Sequence, residues 1–250
     1  LLSSMYAIFK NIGQYFLMLR RVFSLPDKRG VFLKQIILEI EKIGLNSLGI
    51  VIVISLFVGA VVTIQTAFNL FNPFLPRYLV GLATRDSLIL EFSPTMLCLI
   101  LAGKVGSNVA SEIGSMRVTE QIDALEMMGV NSANFLILPK IIAAMFSFPF
   151  LVIISMGVGM FGGWLGSASV DVTTSDFVYG LKYGFIPFYI TYAITKTIVF
   201  AFIITSVSSF YGYYTKGGAL EVGIASTKAV VYSSVVVLIF NFILTQLLLA

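Results

Sequence analysis

From Ile43 to Pro76 the chain reads IGLNSLGIVIVISLFVGAVVTIQTAFNLFNPFLP, 34 residues without one charge. As a helix this run would reach about 51 Å, well beyond the roughly 30 Å of a bilayer's hydrocarbon core. It therefore holds one span, Leu45–Leu70, and a turn at Asn72-Pro73 and Pro76. Two more charge-free runs follow, Ile141–Val170 with a span ending near Trp164, and Ala229–Ala250. Two further apolar stretches carry charges inside them: Ser87–Val105 holds Glu91 and Lys104, and Phe185–Tyr214 holds Lys196. The count is five spans.

The whole composition agrees. Of 250 residues 58% are hydrophobic and 11% charged, with mean hydropathy +0.98. A soluble domain has about 25% charged residues, so this chain lacks the polar surface to clothe a water-soluble globule. There is no histidine, which excludes Ser-His-Asp and Cys-His catalysis and His-ligated zinc or haem. The single cysteine, Cys98, cannot form an intrachain disulfide and reads as a small buried hydrophobe. The net charge of +4 does not cluster as a nucleic-acid surface would, so no nucleic-acid partner is expected.

An odd number of spans puts the termini on opposite sides. The N-terminal segment and the loops after spans two and four hold 12 Lys and Arg, against 3 (Arg77, Arg85, Lys182) in the other loops. The positive-inside rule then places the N-terminus in the cytoplasm and the C-terminus outside. Residues 1–42 form an N-terminal portion ahead of a five-span domain, 43–250. Within it Phe9, Ile12, Phe16 and Leu19 follow Met5 at helical spacing among Lys10, Arg20 and Arg21, the pattern of an amphipathic helix lying in the membrane interface. Pro26-Asp27 breaks it, and a second helical stretch, Leu33–Lys42, leads into span one.

Small residues recur at close helix spacing. Ala102, Gly106, Ala110 and Gly114, with Gly103 beside them, form one stripe, and Ser155, Gly159, Gly163 and Ser167 another. Such stripes let helix backbones approach within lipid. Between spans two and three, residues 117–130 read RVTEQIDALEMMGV. Thr119 can cap a helix of about ten residues and Gly129 can end it. Val118, Ile122, Leu125 and Met128 or Gly129 share one face; Glu120, Asp123 and Glu126 make an acidic side. Two readings stand open: packing against the spans, or docking into a groove on a cytoplasmic partner. The nearest approach to a phosphate-binding loop is Gly103-Lys104, but Cys98 and Val105 replace the required glycine and Ser/Thr. Any ATP must be hydrolysed by another chain.

Glu91-Phe-Ser-Pro94, then LAGKVGSNVASEIGSMRVTEQIDALEMMGV from Leu101 to Val130, resemble the MlaE permease family. The likeness continues through Pro139-Lys140, Pro149, Phe161-Gly-Gly163, Lys196, Gly212, Gly223 and Thr227–Ser234, with Ser93 in place of a glycine and Lys104 and Lys228 where arginine is common. The resemblance implies an all-α integral membrane fold similar to ABCA/ABCG exporters: an interfacial helix, five spans and a short cytoplasmic coupling helix at about 117–129. It implies a permease subunit of an ABC transporter that moves phospholipid or related lipid at a bacterial inner membrane. The implied partners are a second copy of the chain, two ABC ATPase subunits that bind ATP and Mg, an outer MCE-domain hexamer and, in some systems, a STAS-domain subunit. Arg117, Glu120, Gln121, Ile122, Asp123, Leu125 and Glu126 fall at the family's ATPase-coupling helix.

Charged groups inside a span cost about 2.5–3.5 kcal/mol near its centre and are functional candidates by default. On one reading Glu91 and Lys196 brace spans two and four as an ion pair, across estimated depths differing by roughly 9 Å, which a lysine partly bridges. On the other both line a water-accessible lipid cavity, where Lys196 attracts a phosphate and Glu91 gates the outer end, with Gln65 and Tyr192 as further lining. Two other functions compete: an anchor for the MCE hexamer without transport, and a membrane-embedded lipid-modifying enzyme. The second lacks a pocket of clustered carboxylates.

Overall fold

The computed structural model describes residues 2–24, 29–70 and 75–249, and every regular element among them is helical. In chain order these are α1 (Leu2–Val22), α2 (Arg29–Ile40), α3 (Asn46–Asn69), α4 (Tyr78–Ser87), α5 (Leu97–Leu101), α6 (Ser107–Val118), α7 (Gln121–Met127), α8 (Ser132–Ser167), α9 (Thr174–Lys182), α10 (Phe188–Tyr213) and α11 (Ala219–Leu249). Wider π turns at Glu41–Leu45, Leu88–Met96 and Ala102–Gly106 join α2 to α3, α4 to α5 and α5 to α6 without a break. Five helical stretches are long and apolar enough to cross a membrane: Phe32–Asn69, Tyr78–Val118, Ser132–Ser167, Phe188–Tyr213 and Ala219–Leu249. The break at Pro26-Asp27 and the turn at Asn72-Pro73 lie outside the described residues, as does the side chain of Met5.

The spans are as many as the sequence predicts, but four of them begin earlier. Span two starts at Tyr78 rather than Ser87, and span three at Ser132 rather than Ile141. Charges that read as loop markers explain this. Arg85 sits inside α4 and is 2% exposed, because Asp86 and the carbonyls of Leu181 and Tyr183 accept its N–H groups. Lys140 sits inside α8, also buried, against Glu39 and Glu112. A charge that is paired can stay within a helix, so hydropathy alone places the ends too far in.

The chain forms two compact units, each drawing stretches from several helices. The first comprises Leu1–Ile43, Leu101–Phe146 and Phe200–Phe240. In it α1 lies on α10, with Tyr15 hydrogen-bonded to Ser206 at 2.8 Å and edge-on to Phe210. A β-carbon at Gly106 would stand 2.8 Å from Ser208 Oγ, and one at Gly114 3.2 Å from Val222. A side chain at either position would press on those neighbours. At Gly103 nothing lies within 4 Å of where its β-carbon would be.

The second unit comprises Gly44–Ile100, Ser147–Val199 and Asn241–Ala250. Here α3 and α8 cross at backbone contact. A β-carbon on Gly59 or Gly162 would overlap the carbonyl of Gly159 or Leu56 respectively. Ser55 donates to Ser155 at 2.8 Å beside the crossing. A β-carbon on Gly163 would stand 2.6 Å from Thr63 Oγ1, whereas one on Gly159 would meet Leu88 at 3.4 Å. In a membrane, where apolar burial offers no drive between helices, such close approach supplies the attraction through van der Waals contact.

Candidate functional site

Within the second unit, three helical stretches each bring two polar side chains four residues apart. These are Glu91 and Thr95 from the π turn after α4, Tyr192 and Lys196 from α10, and Asn241 and Thr245 from α11. Residues four apart share a helix face, so three faces meet as one polar cluster. Lys196 is 0% exposed. Its ammonium has three protons and finds three acceptors: Glu91 Oε1 at 2.8 Å, Tyr192 OH at 2.7 Å and Thr245 Oγ1 at 3.2 Å. The Leu90 carbonyl lies 3.5 Å away, and Pro94, four residues on, has no N–H to offer it. Glu91 Oε2 accepts from Thr95 at 2.9 Å and from Asn241 Nδ2 at 3.2 Å.

Glu91 and Lys196 are therefore paired directly. The earlier start of span two removes the depth difference that argues against a pair. The Glu91 side chain remains 43% exposed, so one end of the pair is open while the other is enclosed. Tyr192 is buried within the cluster, and Gln65 lies exposed on α3, reached by none of the cluster's hydrogen bonds. Thr95, Asn241 and Thr245 join the site without being among the residues that the sequence singles out; the repeated i, i+4 polar pair is the one signal that points to them.

The first unit holds the segment between spans two and three. It is a helix of seven residues, Gln121–Met127, shorter than predicted. Thr119 does not cap it: its hydroxyl donates back to the Ser115 carbonyl at 2.9 Å and closes α6. Glu120 takes the turn between the two helices at φ 60°, a left-handed conformation that few residues other than glycine adopt. Gly129 ends the segment, as predicted, at φ 77° with its N–H on the Glu126 carbonyl. Ile122 is wholly buried and Leu125 partly so. The acidic side is divided. Asp123 takes Arg117 at 2.6 Å, and Glu126 accepts from Ser132 and Tyr213, while Glu120 and Gln121 stay exposed. Met127 is 90% exposed. The Ser132 hydroxyl above all holds the Glu126 carboxyl below the usual range; burial, next in size, opposes it, and Tyr213 and the charges of Arg21 and Arg117 add smaller help.

A second charged group in this unit links α2, α6 and α8. Lys140 is bound by Glu39 and by Glu112 at 3.0 Å, and Glu112 also takes Lys42 at 2.6 Å. Among the described residues no group of three or more His, Cys, Asp or Glu is placed to hold a metal ion.

The chain matches the family model described as permease MlaE over residues 36–247. It is 35% identical to a probable ABC transporter permease protein of Rickettsia bellii, across 95% of this chain and 92% of that one. It is 34% identical to the chloroplast protein TRIGALACTOSYLDIACYLGLYCEROL 1 of Arabidopsis thaliana, across 83% of this chain and 59% of that one. It is 30% identical to the intermembrane phospholipid transport system permease protein MlaE of Haemophilus influenzae, across 96% and 92%.

Proposed function

The chain belongs to the MlaE permease family, and from that premise we propose that it carries phospholipid or a related lipid as the permease half of an ABC transporter. The family and the five apolar helices make it a multi-pass membrane permease subunit. The choice of cargo is carried by the Haemophilus influenzae relative, whose name specifies phospholipid and which aligns along nearly the whole chain. The half-open Glu91–Lys196 pair supports it, because an exposed carboxylate backed by an enclosed ammonium gives an apolar span one polar contact for a headgroup.

The working unit we propose is two copies of the chain with two ABC ATPase subunits, which bind ATP and Mg. An MCE-domain assembly on the far side, and a STAS-domain subunit in some systems, complete it. The excess of Lys and Arg at one set of helix ends supports a cytoplasmic N-terminus and a C-terminus outside the bacterial inner membrane. The exposed face of α7, with Glu120, Gln121 and Met127, is the ATPase contact in this reading.

The test is the complex purified with its own ATPase and reconstituted in phospholipid vesicles. Mass spectrometry of co-purifying lipid should find phospholipid, and ATP should drive transfer of a fluorescent phospholipid. The chain alone should hydrolyse no ATP above contaminant level. Hydrolysis that lipid fails to stimulate, with no transfer, would favour an anchor without transport.

A further inference from the structure

The Glu126 carboxylate reaches from α7 to the ends of two spans. Its Oε1 accepts from Ser132 Oγ at 2.9 Å and from Tyr213 OH at 3.0 Å, and the two hydroxyls stand 2.8 Å apart. Ser132 is 1% exposed and Tyr213 6%. Ser132 is the first residue of α8, and Tyr213 is the last of α10. One carboxylate oxygen of a seven-residue helix thus joins both. The residues beside it extend the junction to α1. Asn131 Nδ2 donates to the Arg21 carbonyl at 3.0 Å, and Asn134 Nδ2 to those of Val22 at 2.7 Å and Ser24 at 2.6 Å. These are carbonyls at a helix end, where the helix itself supplies no donor.

A helix this short does not hold itself together in water. Its position is fixed by what ties it, and a push on its exposed face leaves through the same ties. Among the described residues these ties, besides the chain itself, are the Gln121–Thr119 hydrogen bond at 3.0 Å, Ile122, the Arg117–Asp123 pair and the Glu126 carboxylate. Ile122 is a non-directional apolar contact. The Arg117–Asp123 pair is partly exposed, and such pairs contribute little. The Glu126 carboxylate receives two directional, charge-assisted hydrogen bonds from buried hydroxyls, which are stronger than neutral ones. Of the polar ties among the described residues, only this last one ends on two different spans.

We infer that Glu126 is a positioning residue, whose bonds to Ser132 and Tyr213 pass a displacement of α7 to the first turn of α8 and the last turn of α10. The inference rests on the reading of α7 as the ATPase contact. It assigns the acidic residues of the segment to different work: Glu120 meets the partner, and Glu126 conveys what the partner does.

The test uses the complex reconstituted with its ATPase in vesicles of phosphatidylethanolamine and phosphatidylglycerol. Three quantities are read: ATPase retained on purification, ATP hydrolysed, and fluorescent phosphatidylethanolamine transferred per ATP. Tyr213→Phe and Ser132→Ala should retain the ATPase and hydrolyse ATP, with transfer per ATP falling about tenfold, the factor that one lost hydrogen bond to a charged group corresponds to. Glu126→Gln keeps an acceptor oxygen without the charge and should fall about threefold, since neutral hydrogen bonds are roughly half as strong. A merely structural role would lower hydrolysis and transfer together and leave their ratio alone, which overturns the inference. Met127→Asp, on the exposed face, separates the two readings. If it keeps the ATPase bound, the docking reading falls and this inference with it. If it releases the ATPase while Tyr213→Phe and Ser132→Ala transfer lipid per ATP as the unaltered chain does, the inference alone falls.

Discussion

Two buried lysines, one in each unit, solve the same problem differently. Lys196 has a single carboxylate, Glu91, and completes its bonding with the neutral hydroxyls of Tyr192 and Thr245. Lys140 has two carboxylates, Glu39 and Glu112, and the second is shared with Lys42. An ion taken out of water costs several kcal/mol unless its partners repay it. The Lys140 group spreads that repayment over four charges, so losing any one still leaves an ion pair among the rest. The Lys196 group concentrates it in one ion pair. A concentrated pair is the more fragile brace, and it is also the one whose state a ligand can change.

The largest effect should come from Lys196→Met. It keeps the length of the side chain, removes the charge and strands Glu91 without a counter-ion. Breaking a buried pair costs about 3–5 kcal/mol, and the half-exposed carboxylate puts this case near the lower figure. Thermal unfolding in detergent should show the loss, and adding Glu91→Gln should recover more than half of it. If the double variant is as unstable as the single one, the hydroxyls rather than the charge pair hold the cluster, and the contrast between the two lysines disappears. Lys140→Met should cost less, roughly 1–2 kcal/mol, because Glu112 keeps Lys42 and one carboxylate alone, the mostly enclosed Glu39, loses its lysine. Lys42→Met should cost no more than about 1 kcal/mol, as the pair it breaks is a partly exposed one. A loss at Lys140 equal to that at Lys196 would show that shared partners give no protection.

What the sequence makes legible follows from what it marks strongly. A charge inside an apolar run is conspicuous, so Glu91 and Lys196 stand out from the residue pattern alone. Their pairing does not, because a depth for Glu91 counted from Ser87 is too small, and the paired Arg85 conceals that the helix starts at Tyr78. Asn241 and Thr245 are single uncharged polar residues on an apolar helix, a pattern that also occurs on lipid-facing surfaces, and only the fold brings them to Glu91. The glycine stripes identify the right helices but not the right contacts. Gly103, beside the repeat, has nothing within 4 Å of where its β-carbon would be, while Gly59 and Gly162, outside the repeat, make the closest crossing. Spacing fixes which face a residue takes, and the partner of that face is a tertiary fact. The same limit applies to α7: the acidic side is legible as a set, and its division between Glu120, Asp123 and Glu126 depends on Ser132, Tyr213 and Arg117.

The smallest expected effect extends the comparison to that third carboxylate, which lies outside the spans. Among the described residues no lysine bonds Glu126. Two hydroxyls bind it, that of Ser132 first, and the charges of Arg21 and Arg117 help at a distance, so its carboxyl is held below the ordinary value. A carboxyl lowered on folding adds stability that is fully present above its unfolded value, about 4.3, and is lost as the pH falls through the lower folded one. The unaltered chain should therefore lose melting temperature between about pH 5 and pH 3 more steeply than Glu126→Gln, which has no proton to take up. The side chain is mostly solvent-exposed, so the difference should be small. The two profiles should converge at the acid end, where both carry a neutral group at position 126. If they run parallel throughout, the hydroxyls of Ser132 and Tyr213 bind the charged and neutral forms alike, and Glu126 contributes geometry without charge.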